Sequence, residues 1–132
     1  MAVGKRIYLK RKMPDHEVMM QFKEIPASNV ADVMERSCAM NPRIRLVSSP
    51  KAQMMVGPAL TIKARSGDNL ALHAAIDMAQ EGDVLVVSNE GDNPRALMGE
   101  IMMDLLYDTT KAAGVILDAQ SSAVHGKGNR EF

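Results

Sequence analysis

The sequence has no tryptophan, two tyrosines, two phenylalanines and one cysteine among 132 residues. Its core is therefore aliphatic. A single cysteine, Cys38, excludes an internal disulfide and fits a reducing cytoplasm. With no base beside it in sequence, Cys38 is expected to be a small buried residue. Net charge is absent too: sixteen basic and sixteen acidic residues cancel, which argues against a broad nucleic-acid-binding surface. No apolar run approaches the roughly 18 residues of a membrane span. The charges near the N-terminus are not followed by the apolar segment of a secretory signal. The expectation is a cytoplasmic chain with neither a nucleic-acid nor a membrane partner.

What is present is ordinary for one globular domain: 46% hydrophobic and 24% charged residues. The twelve methionines read as filler for irregular gaps in the core. The one basic cluster, Lys5, Arg6, Lys10, Arg11 and Lys12, reads as a solvated arm.

Periodicity gives the order α, α, β, α, β, α, β. Residues 1–13 are expected to be extended. Asp15 caps a helix carrying Val18, Met19 and Phe22, which Pro26 ends. Ser28 caps a second helix through "NVADVMERSCAM", with Val30, Val33 and Met34 on one face. A loop with an extended piece around 44–47 follows. "GPALTIKAR" alternates Leu60, Ile62 and Ala64 against Thr61, Lys63 and Arg65, the pattern of a strand with one wet face. Asp68 then caps a helix with Leu72, Ala75, Ile76 and Ala79 on one face, ended by Gly82. "DVLVVS" is too short an apolar run for a helix and reads as a buried strand. Asn93 and Pro94 suit the N-cap and first position of the next helix, and Gly114 closes that region before the strand "VILD". Alternation of this kind indicates an α/β protein.

Chemistry has few local signals. "EGDNPRAL" is a strand-to-helix turn of the sort whose backbone N–H groups hold anions, but it has neither the dinucleotide nor the P-loop pattern. Glu100 and Asp104 share a helix face, which is ordinarily a solvated one. His16, His73 and His125 lack metal-site spacing, and His73 reads as a packing residue. Asp118 closes a buried strand, a common place for an active site to begin.

"GPALTIKARSGDNLALHAAIDMAQEGDVLVV" resembles the RraA-like family, which includes 4-hydroxy-4-methyl-2-oxoglutarate aldolases and proteins labelled demethylmenaquinone methyltransferase-like. "IPASNVADVM" and "RALMGEIM" resemble two further parts of it. The resemblance implies a swivelling β/β/α fold over residues 1–118, usually a homotrimer with sites between protomers. It implies a divalent metal, Mg2+ or Mn2+, and a small 2-oxo acid substrate. The backbone N–H groups of Gly99, Glu100, Ile101 and Met102 would hold the substrate's carboxylate or enolate, with Glu100 the candidate catalytic residue. In the family an Arg-Asp pair past the next strand then holds substrate and metal. Anchored on Asp118, those positions are Ser122 and Ala123, and a one-residue slip supplies neither group. The family pattern continues beyond this point. A truncated or frame-shifted product, or a divergent disordered tail over 119–132, gives such an ending. Three readings follow: a metal-dependent aldolase or oxaloacetate decarboxylase weakened by the missing pair, a non-catalytic regulator of the ribonuclease-inhibitor type, and an inactive fragment.

Overall fold

A computed structural model of the chain describes residues 6–47, 54–89 and 95–121, with the side chains of 120 and 121 outside the description. Two short helices come first: α1 (His16–Gln21), followed by a single 3-10 turn (Phe22–Glu24), and α2 (Ala27–Val33). Then β1 (Ala59–Lys63), α3 (Leu70–Met78), β2 (Val84–Ser88), β3 (Ala96–Met98), α4 (Glu100–Thr110), β4 (Gly114–Asp118) and β5 (Gln120–Ser121) follow. The three apolar strands form one parallel sheet in the order β1-β2-β4, and β3 pairs with β5 in a second parallel ladder. The protein is α/β, as its alternating pattern implies.

Registers in the main sheet are regular, with Ala59 opposite Val84 and Val84 opposite Gly114. Side chains in one rung therefore point the same way. Ile62, Leu85 and Val87, with half-buried Leu60, Val115 and Leu117, face Leu72, Ala75 and Ile76 of α3 and Met102 and Leu106 of α4. This is the core. Val84, Val86 and Ile116 face the other way, across a groove of about 620 Å³ walled by Met19, Phe22 and Val30.

The opposite, N-terminal edge of the sheet is tied together by polar contacts. Asp83 is fully buried; its carboxylate accepts from the Arg11 guanidinium and from the Gln80 N–H at 2.8 Å. Its backbone carbonyl accepts from Ala113, and the Gly82 N–H donates to Lys111 at the end of α4. Gly57 lies directly against the Gly82 carbonyl, where any Cβ would collide.

Several local expectations are corrected. The Asp15 cap forms, its carboxylate accepting from the Val18 N–H at 3.0 Å. Pro26 and not Ser28 sits at the N-cap of α2, and α2 stops at Val33 because Glu35 and Arg36 take left-handed backbone. Residues 44–47 belong to no helix or strand, in keeping with a loop. Asn69 is the N-cap of α3, although the Asp68 carboxylate still accepts from the Leu70 N–H at 2.9 Å. That helix ends at Met78, before Gly82, since Ala79 is extended. Asn93 and Pro94 lie outside the described residues, but the helix they were expected to open begins later, at Glu100, after an unforeseen strand. The chain also continues past Asp118 into β5, while 122–132 lie outside the described residues.

Burial is redistributed as well. Neither α1 nor α2 buries a residue, and Val33 is exposed. Met98 and Met102 fill core space, whereas Met13, Met34, Met40, Met54 and Met55 are exposed. Cys38 is exposed, not buried, as is His73. Arg11 leaves the solvated arm to meet Asp83.

Candidate functional site

In a β-helix-β unit with parallel strands, the connecting helix runs back along the sheet. The N-termini of α3 and α4 therefore both lie at the C-terminal edge of the sheet. They meet there: the Asn69 side-chain amide, at the cap of α3, lies 3.7 Å from the Met102 sulfur in the first turn of α4. Open parallel sheets place their ligand sites along this edge.

The first turn of α4 leaves backbone N–H groups without a partner inside the helix. Its N-cap is Gly99 in extended backbone, and no side chain caps it. The helix itself offers no acceptor to the N–H groups of Glu100, Ile101 and Met102. Their partial positive charge favours a carboxylate or an enolate oxygen. Gly99 is half-buried, Met102 is buried and anchors the turn on the core, and Glu100 is exposed. Ile101 is 85% exposed, a large apolar side chain at the mouth of the turn. Gly99, Glu100, Ile101 and Met102 thus form the N-cap and first three residues of α4.

Asp118 is not brought to that cradle. It shares a rung with Ser88, and the alternation along β4 turns it to the face away from α3 and α4. There the Arg43 guanidinium holds one of its oxygens, with contacts of 2.7 and 3.0 Å. Sequence reasoning missed Arg43: it sits in a loop 75 residues from its partner, with no local pattern to mark it. Both groups are partly exposed, so the pair positions the loop more than it stabilises the fold. Glu100 and Asp118 therefore do not share a site. Among the described residues, no group of three or more His, Cys, Asp or Glu could hold a metal ion. The described residues alone therefore do not assemble a site for the divalent metal that the resemblance implied. Ser122 and Ala123 lie outside the described residues.

A further feature at this edge is Asn89, just past β2. It is 4% exposed, and neither atom of its carboxamide has a hydrogen-bond partner among the described residues.

No helix among the described residues is long and apolar enough to cross a membrane. Comparison with known proteins places the chain in a family. The family model for RraA-like proteins, described as Aldolase/RraA, matches residues 27–121. A protein of Halalkalibacterium halodurans, provisionally named a 4-hydroxy-4-methyl-2-oxoglutarate aldolase, is 31% identical over 102 residues, which is 77% of this chain and 47% of that protein. The chain thus spans about half the length of this curated relative. Two solved structures share the fold. Streptomyces coelicolor RraAS2, described as an unusual member of the RNase ES inhibitor RraA protein family, superposes with a TM-score of 0.62 at 22% identity, over 86% of this chain and 59% of that one. An uncharacterized protein from Pseudomonas syringae pv. tomato gives 0.67 at 19% identity, over 92% and 55%. With a family match across most of its length and parallel strands and helices arranged as in those relatives, this chain belongs to the RraA-like family.

Proposed function

We propose that the chain binds a small 2-oxo acid at the first turn of α4, and that it retains the binding part of an aldolase and decarboxylase site without its full charge-stabilising part. The observation that carries this reading is the uncapped turn at Gly99–Met102, in a chain of the same family as a provisionally named 4-hydroxy-4-methyl-2-oxoglutarate aldolase. Retro-aldol cleavage and decarboxylation both leave a pyruvate enolate. Backbone N–H groups fixed by Met102 in the core stabilise that oxygen without reorganising. Glu100, exposed at the same turn, is the group placed to move a proton. The metal carboxylate and the substrate arginine of the family pattern are replaced by Ala123 and Ser122. No step through a metal is therefore assigned to this chain.

The expected result is little pyruvate release from 4-hydroxy-4-methyl-2-oxoglutarate or oxaloacetate, with magnesium or manganese present. A Ser122→Arg, Ala123→Asp variant should release it faster by about 10²–10³, the typical worth of one oxyanion-stabilising group. Robust, chelator-sensitive turnover by the unaltered chain would defeat the proposal.

We also propose self-association, with a trimer as the expected state. Val33, Leu46, Ile101 and Leu105 are large exposed apolar side chains that an assembly would cover, and among the described residues β1 is an edge of the main sheet open to further pairing. Light scattering should give a mass above one chain at micromolar concentration; a stable monomer counts against it. A non-catalytic regulatory role is the second reading. It is favoured by the fold shared with RraAS2, a member of an RNase ES inhibitor family.

A further inference from the structure

The inward-facing row of the central strand runs Leu85, Val87, Asn89: both hydrophobic residues are buried in the core, and the next inward position carries an amide. The pairing of β1 with β2 extends one step, since the Ala64 N–H donates to the Ser88 carbonyl at 2.9 Å. Asn89 is therefore flanked by Ala64 on the β1 side, one step beyond the Lys63–Ser88 rung, and on the β4 side Ala119 directly follows the Ser88–Asp118 rung. Ala64 is buried, and Ala119 packs against the core. Two small side chains thus neighbour the carboxamide on the sheet face that carries α3 and α4.

An unpartnered buried amide is costly and uncommon. A leucine at this position would extend the apolar row without that cost. By strand alternation the Asn89 side chain is on the same face of the sheet as α4, at the edge where the first turn of α4 lies.

We propose that Asn89 is a substrate-binding residue: its Nδ2–H donates to a carboxylate or enolate oxygen of the 2-oxo acid held by the α4 turn, beyond the contacts that turn makes. This rests on the reading of Gly99–Met102 as the 2-oxo acid cradle. It also assigns the buried amide a partner that the described protein groups do not supply.

The probe is oxalate, a planar mimic of the pyruvate enolate, titrated calorimetrically with and without magnesium into the full chain and its Asn89→Ala and Asn89→Leu variants. A hydrogen bond to a charged group sets the expected loss at about tenfold or more in affinity for both variants. Unliganded Asn89→Leu should melt no lower than the unaltered chain, because the lost amide had no partner there to lose. In parallel, the Asn89 side-chain amide signals in a 15N-labelled chain should shift on adding oxalate. Equal oxalate binding by all three chains, with unmoved amide signals, overturns the role of Asn89 and leaves the α4 cradle standing. Failure of the unaltered chain to bind oxalate overturns both. A marked drop in the melting temperature of unliganded Asn89→Leu would show an amide already paired within the protein, and would also overturn the proposal.

Discussion

Arg11→Ala should lower the unfolding free energy by about 3 kcal/mol in urea titrations. Removing one member of a buried ion pair commonly costs about 3–5 kcal/mol, because the partner charge is left without compensation. The lower end applies because the Arg11 side chain keeps 23% exposure while Asp83 keeps none. Water can reach the arginine side of the gap but not the carboxylate. The Gln80 N–H would remain as an Asp83 partner, which is too little for a full charge. An apolar replacement of both, Arg11→Met with Asp83→Leu, should be less destabilised than Arg11→Ala alone. It removes the stranded charge and orphans only that one backbone N–H. Unchanged urea midpoints for Arg11→Ala would show that the arm does not contribute to the fold.

Leu85→Ala should cost about 2–5 kcal/mol by the same measurement. Leu85 has 0% exposure and lies on the central strand, with β1 on one side and β4 on the other. Neither neighbour can collapse into the space without breaking register, so the cavity persists and its cost adds to the lost transfer free energy. For a domain whose total stability is of order 5–15 kcal/mol, this is a large fraction. Leu9→Ala, on the exposed arm, should stay within about 0.5 kcal/mol. A Leu85→Ala chain as stable as its parent would mean that the core is not centred on β2.

These two residues also show what local pattern can and cannot reveal. Leu85 was legible: "DVLVVS" is apolar, short and bounded by Gly82 and Asn89, and only a covered strand suits it. Leu72, Ala75 and Ile76 were equally legible, since their spacing is that of one helix face and all three are buried. Arg11 was not, because its partner is 72 residues away and no period connects them. The strand β3 failed for the same reason: three residues carry no periodic signal, and Ala96–Met98 is extended because β5 pairs with it from beyond β4. The end of α2 was hidden because Glu35 and Arg36, neither of them glycine, take the left-handed turn.

Within the candidate site, the "RALMGEIM" resemblance singled out Gly99–Met102, and those residues are the N-cap and first turn of α4. Asn89 was read only as part of a turn. Its burial, which no local pattern signals, comes from its place just past the end of the central strand. The same pairing separates Asp118 from Glu100, although both belong to the resemblance.

The all-parallel ladders also govern how the chain is made. Position 59 pairs with 84, and 84 with 114, so neither ladder of the main sheet can start from a hairpin. Each must close a long loop first, and topologies of this sort fold in milliseconds to seconds, not microseconds. During synthesis β2 leaves the ribosome about thirty residues ahead of β4. At 5–20 residues per second it waits roughly 2–6 s with one flank bare. The central, strongly apolar strand of the main sheet is thus an open edge while the chain is still being translated. That interval, more than the finished fold, is when the chain is most exposed to mispairing and most in need of a chaperone.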